Sequence, residues 1–93
     1  MFPTETIVAF SQDPKNSRTI MELVAGDRPG LLSEVGQVLR ANEISIQTAK
    51  ILTIGARAED VFYITHEDGR PLDNAECEQL EQALTEALSQ PGN

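Results

Sequence analysis

The chain has few of the residues from which nucleic-acid sites, disulfide scaffolds and catalytic centres are usually built. Its 93 residues include no tryptophan, one tyrosine, one histidine and one cysteine. A single cysteine excludes an internal disulfide and is compatible with a reducing compartment. Seven lysines and arginines face fifteen acidic residues, and the resulting net charge of −8 disfavours binding to nucleic-acid phosphates.

Long hydrophobic runs are also missing. No stretch approaches the roughly 18 apolar residues of a membrane span, and no signal peptide opens the sequence. We therefore expect a soluble, cytoplasmic protein without a membrane partner. A chain of 93 residues predicts one domain near the lower size limit for a single core, so a partner surface would add useful stability.

Acidic residues are concentrated late in the chain, where Arg70 is the one basic residue after position 66. This tract predicts a solvated helix face, and an acidic docking surface is the less favoured alternative. Cys77 falls on the apolar stripe of the same helix, which predicts a packing thiol rather than a nucleophile. No constellation of acid–base, nucleophilic or metal-binding residues is found, so we predict no catalytic, metal or cofactor site.

Hydrophobic periodicity predicts the element order ββαββα. The predicted strands cover residues 5–11, 18–25, 44–54 and 59–65, and the helices start near Pro29 and after Asp73. Asp27 or Arg28 is expected to cap the first helix, Asn42 to end it in the left-handed conformation, and Asp73 to cap the second in a capping box with Glu76. Gly36, inside the first helix, suggests a close neighbouring backbone.

Both helices have a single apolar stripe, so both should cover one face of a four-stranded antiparallel sheet. The order without the first strand is that of a ferredoxin-like α+β sandwich lacking its last strand, and we expect the first strand to fill that edge position. The uncovered face mixes apolar and polar residues. It carries either Ile46 with Thr48 or Gln47 with Ala49, and it is either a pairing surface or an ordinary wet face.

The most informative segment is Asp27-Arg28-Pro29-Gly30-Leu31-Leu32, where a strand gives way to a helix. A helix start presents unpaired backbone N–H groups that favour an anion, and Gly30 lets other atoms approach them closely. Two interpretations stay open from the residues alone. The segment is a ligand site, or Asp27 only caps its helix, Arg28 is a solvated neighbour, and Pro29 and Gly30 only make the turn.

The sequence disfavours two other functions. Phe62 and Tyr63 would suit an RNA-binding sheet, but such sheets need aromatics on two adjacent strands and a basic surface. An enzyme on a ferredoxin-like frame would need an anion-holding arginine beside a water-orienting amide, for which Arg28 and Asn42 are weak candidates.

The motif at residues 27–32, followed by Val35, Val38 and Ile44-Ser45-Ile46, resembles the ACT domain, a regulatory module that binds amino acids. Residues 49–65 resemble more narrowly the last ACT repeat of the bacterial protein-PII uridylyltransferase/uridylyl-removing enzyme family. Relatives often have glycine where Glu43 stands. The chain is then expected to be one ACT-type domain, with an N-terminal hairpin strand and turn (1–17), a core (18–89) and a tail (90–93).

The resemblance implies that this chain has a ligand site and no active site. The chain would then be a regulatory part of a nucleotidyltransferase that also has a uridylyl-removing hydrolase activity. The implied ligand is an amino acid, and glutamine is the one expected. It would be bound across an interface with a second ACT domain or in a homodimer. A free-standing ACT protein, or a docking domain of another amino-acid-regulated enzyme, is the alternative. The site residues expected are Asp27, Arg28, Pro29, Gly30, Leu31, Leu32, Asn42, Ser45 and Gln47. Asp27 would pair with the ligand's ammonium, and Asn42, Ser45 and Gln47 would reach a side-chain amide on a ligand held by a neighbouring domain.

Overall fold

The computed structural model describes residues 5–89, and the remaining parts of the predicted N-terminal segment and tail lie outside the described residues. Four strands and two helices follow in the predicted order ββαββα. Their bounds are β1 Ile7–Asp13, β2 Arg18–Gly26, α1 Leu31–Ala41, β3 Ile44–Ile54, β4 Arg57–His66 and α2 Asn74–Leu88. No helix within residues 5–89 is long and apolar enough to cross a bilayer.

The strands form one antiparallel sheet in the order β1-β2-β4-β3. β1 lies at the edge beside β2, which is the position that the sequence predicts for it. The strand runs two residues later than the predicted 5–11 because its pairing with β2 continues to Asp13 opposite Arg18. At this end of the strand pair, Arg18 Nε and Asp13 Oδ2 form an ion pair at a distance of 3.0 Å.

Alternation along the two central strands determines which face of the sheet is covered. The buried residues of β2 are Thr19, Met21, Leu23 and Ala25, and in the register they face Ile64, Phe62, Asp60 and Ala58 of β4. The buried stripes of the helices complete this core with Leu31, Val35 and Leu39 from α1 and Cys77, Leu80, Leu84 and Leu88 from α2. Both helices therefore pack on one face of the sheet, as the ferredoxin-like fold predicts.

The edge strand β3 is far more exposed than β2 or β4. Ile44 is buried, but every residue from 46 to 54 is exposed. A register shift between Ile46 and Thr48 leaves Gln47 without a partner on β4, which is a β-bulge. Because the bulge reverses the alternation, Ile46 lies opposite the core residue Ile64, whereas Thr48 lies opposite Tyr63 on the open face. The predicted pair of Ile46 with Thr48 therefore does not share a face.

The helix ends follow the predictions in part. At α2 the capping box is present, since the Asp73 side chain accepts from the Glu76 N–H and the Glu76 side chain accepts from the Asp73 N–H. At α1 the predicted Asp27 or Arg28 cap is wrong, because Gly30 occupies the N-cap without any side-chain hydrogen bond.

The other end of α1 corrects two further predictions. Asn42 has a φ of −100°, and it is Glu43, at +60°, that takes the left-handed conformation expected of Asn42. Gly36 has no close neighbouring backbone, since a methyl group there would meet only the Arg40 side chain, 3.5 Å away.

A buried polar network joins β1, β2 and the segment before α2. The Thr19 hydroxyl accepts from the Leu72 N–H at 2.9 Å and donates to the Gln12 side-chain oxygen at 3.0 Å. The Gln12 amide in turn donates to the Leu72 carbonyl at 3.0 Å. This loop satisfies both backbone groups of Leu72, a buried residue, and so holds the entrance of α2 against the sheet.

Candidate functional site

A pocket of ≈ 330 Å³ opens at the start of α1, between the β2–α1 turn and the β3–β4 hairpin. Its volume is at the low end of the roughly 300–1,000 Å³ of small-molecule sites. The turn and the first residues of α1 contribute Asp27, Arg28, Gly30, Leu31, Leu32 and Ser33, and the hairpin contributes Ile51, Thr53, Ala58 and Asp60. Of the predicted turn residues, Pro29 alone does not line the pocket.

Backbone donors of α1 are free at this pocket. Gly30 has a φ of +84°, a conformation that glycine adopts without strain, and the Leu31 and Glu34 N–H groups bond to the Arg28 and Gly30 carbonyls. Within the described residues, the N–H groups of Leu32 and Ser33 have no acceptor. Together with the helix dipole, these two donors make the start of α1 favourable for an anion.

Arg28 adds a cation to the same pocket. Its Nη2 pairs with the Glu34 carboxylate one turn into α1, which fixes the guanidinium beside the helix start. Its Nε is buried and has no acceptor among residues 5–89. Asp27, by contrast, is exposed, and only its backbone N–H is used, in a 2.9 Å bond to the Ala56 carbonyl.

Asp60 is the buried charge of the pocket. It lies on the helix-covered face of β4, between Leu23 of β2 and Ile51 of β3, and only 2% of it is exposed. Its Oδ1 accepts from the Leu52 N–H at 3.3 Å, but Oδ2 has no partner among the described residues. Burial raises the pKa of Asp60 and the charge of Asp27 adds to the rise, while the Leu52 N–H acts in the opposite direction.

The rim of the pocket is apolar. Leu32 at the start of α1 is 46% exposed, and Ile51 on β3 is 49% exposed, although both line the pocket. Leu32 therefore does not belong to the buried stripe of α1, which consists of Leu31, Val35 and Leu39. The pocket thus has a polar floor and an open rim that a second apolar surface would close.

The other predicted site residues lie elsewhere. Asn42 is at the opposite end of α1, about 16 Å away at the helical rise per residue, and its amide donates to the Val38 carbonyl at 2.8 Å. Ser45 and Gln47 are at the start of β3, whereas Ile51 and Thr53 near its end line the pocket. The structure therefore brings together Asp27, Arg28, Gly30, Leu31 and Leu32, and it does not bring Asn42, Ser45 or Gln47 to them within one domain.

Asp60 was missed among the predicted site residues, although the sequence contains a signal for it. Alternation along β4 places Asp60 in the same row as Ala58, Phe62 and Ile64, which are all buried. A carboxylate in an apolar row is costly unless something pairs with it. Such a residue is a candidate for function by that criterion alone.

Four other residues, Cys77, Phe62, Tyr63 and His66, do not form a second site. Cys77 is buried as predicted, and burial raises the pKa of its thiol, which suits a packing role. Phe62 is buried in the core, and Tyr63 lies on the open face with the Arg18 guanidinium and the Lys50 ammonium near its ring. His66, at the end of β4, is half-buried, and its Nε2 lies 2.8 Å from the Glu76 carboxylate of α2.

Comparison with known proteins identifies one family and one group of relatives. The ACT domain model matches residues 19–88. The chain is 53% identical over 72 residues to the bifunctional uridylyltransferase/uridylyl-removing enzyme of Methylococcus capsulatus (strain ATCC 33009 / NCIMB 11132 / Bath), which covers 77% of the chain and 8% of that enzyme. It is 43% identical over 90 residues to the enzyme of the same name from Stutzerimonas stutzeri (strain A1501), with 96% of the chain and 10% of the enzyme covered. The chain thus spans about a tenth or less of the length of these curated relatives.

A solved structure supports the fold. A protein of unknown function from Galdieria sulphuraria superposes with a TM-score of 0.61, covering 75% of this chain and 37% of that one. At 14% sequence identity this likeness concerns the fold alone.

Proposed function

Because this chain belongs to the ACT domain family, we propose that it is a regulatory domain that binds a small amino acid, with glutamine as the expected ligand. We place it in a cytoplasmic bifunctional PII uridylyltransferase/uridylyl-removing enzyme of nitrogen regulation, since its curated relatives carry that enzyme's name. The proposal treats the chain as one ACT-type domain with residues 18–89 as its core. The catalytic steps belong to other parts of such an enzyme.

The observation that carries the proposal is the pocket at the start of α1. It combines the unpaired N–H groups of Leu32 and Ser33 with the Arg28 guanidinium, so it suits a carboxylate. Its ≈ 330 Å³ suits a ligand of amino-acid size. The turn residues predicted from the sequence (27–32) are in this proposal one half of the ligand site.

A second ACT domain, or a second copy of this chain, supplies the other half. The apolar rim at Leu32 and Ile51 is open, and Ile46, Leu52 and Ile54 along β3 are also about half exposed. Burying such residues against a neighbour is favourable by roughly 25 cal/mol per Å² of apolar surface. Asn42, Ser45 and Gln47, which lie far from the pocket of their own domain, then contact a ligand held by the neighbouring domain.

Regulation in this arrangement is a population shift. Ligand bound at the closed interface stabilises one pairing of the domains, and the difference in its affinity for the two pairings limits how far it can shift them. Catalytic domains joined to the pair then respond to amino-acid concentration without any change in their own residues.

Calorimetric titration tests the proposal. The 93-residue chain is titrated with L-glutamine, L-glutamate, L-serine and L-leucine, and we expect heat of binding with L-glutamine in preference to the other three. Light scattering with and without L-glutamine should show more dimer with ligand, because the ligand bridges two surfaces. Absence of binding to all four amino acids would contradict the ligand site.

A docking module of another amino-acid-regulated enzyme, or a free-standing ACT protein, is the second candidate. The exposed apolar residues of β3 favour it, because they suit a partner surface whether or not a ligand is present. Dimerisation that is strong without any amino acid, and unchanged by L-glutamine, would favour this candidate over the sensor.

A further inference from the structure

Two groups of opposite charge line the pocket without pairing with each other. The buried Oδ2 of Asp60 has no donor, and the buried Nε of Arg28 has no acceptor, among residues 5–89. Arg28 is engaged by Glu34 on the other side of its guanidinium, and Asp60 receives one long bond from the Leu52 N–H. Because buried polar atoms without a hydrogen-bond partner are rare in folded proteins, the presence of one on Asp60 and one on Arg28 in the same pocket points to a ligand that carries both charges.

We propose that Asp60 binds the ammonium group of the amino acid, whose carboxylate is held by Arg28 and the start of α1. This inference rests on the proposed function and identifies a specificity residue within it. Asp60 is better suited to this role than Asp27, which is exposed at the pocket rim. A carboxylate shielded from water attracts an ammonium group more strongly than one surrounded by water.

The proposal explains why an acid stands in the apolar row of β4. A purely structural role would need only an acceptor for the Leu52 N–H, and an asparagine oxygen at the same position would supply it. The charge is needed only if a cation is bound. Burial and the nearby charge of Asp27 raise the pKa of Asp60, so its ionised form is unfavourable in the empty pocket and a bound ammonium group would relieve that cost.

Calorimetry with two probes on the 93-residue chain tests the proposal. The probes are L-glutamine and glutaramic acid, which is glutamine without its α-amino group. The wild-type chain should bind L-glutamine at least about tenfold more tightly than glutaramic acid, because only glutamine offers the charged donor. This comparison needs no variant, so it holds even if a substitution impairs folding.

The variant arm uses Asp60→Asn, which keeps the acceptor for Leu52 and removes the charge. Its affinity for L-glutamine should fall at least about tenfold, and its preference for L-glutamine over glutaramic acid should approach one. Glu81→Gln, an exposed position of α2 remote from the pocket, is the matched control for loss of one negative charge. Asp27→Asn should weaken L-glutamine binding less than Asp60→Asn does.

The outcomes separate the two levels of the proposal. If the wild-type chain binds L-glutamine and glutaramic acid equally, or if Asp60→Asn keeps the wild-type preference, the Asp60 assignment is wrong and the amino-acid site stands. If the wild-type chain binds neither probe nor any of the other amino acids, the proposed function is wrong and the Asp60 assignment is lost with it.

Discussion

The two helices of this domain begin in opposite ways. α2 starts with a complete capping box, in which Asp73 and Glu76 satisfy each other's backbone N–H groups. α1 starts at Gly30, with no side-chain cap and with the N–H groups of Leu32 and Ser33 free in a pocket. The difference shows that this chain uses its own carboxylates where a helix start is structural. It leaves the donors unoccupied where, in our proposal, a ligand provides the carboxylate.

Removing the α2 cap should have the largest effect on stability. Asp73→Ala leaves the Glu76 N–H without its acceptor, and we expect the free energy of unfolding to fall by about 1 kcal/mol. For a domain of this size, that corresponds to a Tm lower by about 4–8 °C in a thermal melt. Asp73→Asn, which keeps an acceptor at the cap, is the control.

The corresponding change at α1 sharpens the comparison. Asp27→Ala should leave the Tm nearly unchanged, because the Asp27 side chain does not cap α1 and its backbone bond to Ala56 is kept. A loss as large as that of Asp73→Ala would show that Asp27 does cap α1 in solution and would remove the contrast between the two helix starts.

The far end of α1 carries strain that can be relieved. Glu43 has a φ of +60°, a conformation that costs a residue with a Cβ roughly 1–2 kcal/mol. Glu43→Gly removes this cost, but glycine also has greater freedom in the unfolded chain, and that offsets part of the gain. The free energy of unfolding should therefore rise by about 0.5–1 kcal/mol in chemical denaturation. Glu43→Ala keeps the Cβ and should give no such gain.

Small effects are also expected in the pH dependence of stability, where Glu76 at the start of α2 and Asp60 in the pocket should differ in sign. The Asp73 N–H and His66 lower the pKa of Glu76, so ionised Glu76 stabilises the fold above its usual pKa of 4.5, and this contribution is lost as the pH falls through the lowered value. Burial raises the pKa of Asp60 above its usual 3.8, so ionised Asp60 destabilises the empty fold, and this cost disappears as the pH falls through the raised value and on towards 3.8.

Melting curves of the chain, Glu76→Gln and Asp60→Asn between about pH 7.5 and about pH 3 test these signs. At neutral pH the Glu76→Gln variant should melt below the wild-type chain and Asp60→Asn above it, without ligand. Both differences should shrink towards the acid end. An Asp60→Asn variant that melts below wild type at neutral pH would show that the Asp60 charge is paired in the empty domain.

Much of this architecture could be predicted because local patterns decide it. Alternating apolar residues identified β2, the spacing of Leu80, Leu84 and Leu88 identified α2, and Asp73 with Glu76 identified the capping box. The errors at α1 have a common cause. Whether Asp27 caps a helix depends on the path of the turn, and the left-handed residue at the other end is set by where β3 must start, so Glu43 rather than Asn42 adopts it.

Only one part of the candidate site, the turn before α1, could be predicted from the sequence. The turn of residues 27–32 was identified from its own sequence, because a strand, Pro29 and Gly30 before an amphipathic helix have local consequences. Asp60 is 28 residues or more beyond that turn in the chain, and it becomes part of the same pocket only because β4 pairs with β2 in the centre of the sheet. Gln47 could not be assigned to a face, since a bulge reverses the alternation at that position.

The sequence by itself determined the six elements, the apolar stripe that each helix buries, and the turn whose backbone is suited to an anion. These depend on periodicity and on residue chemistry within a few positions of each other. The tertiary structure alone decided that Asp60 and Arg28 share one pocket, that β3 remains exposed at the edge, and that Asn42 lies away from the site. Those facts depend on strand order and register, which bring distant residues together and separate others that are near in sequence.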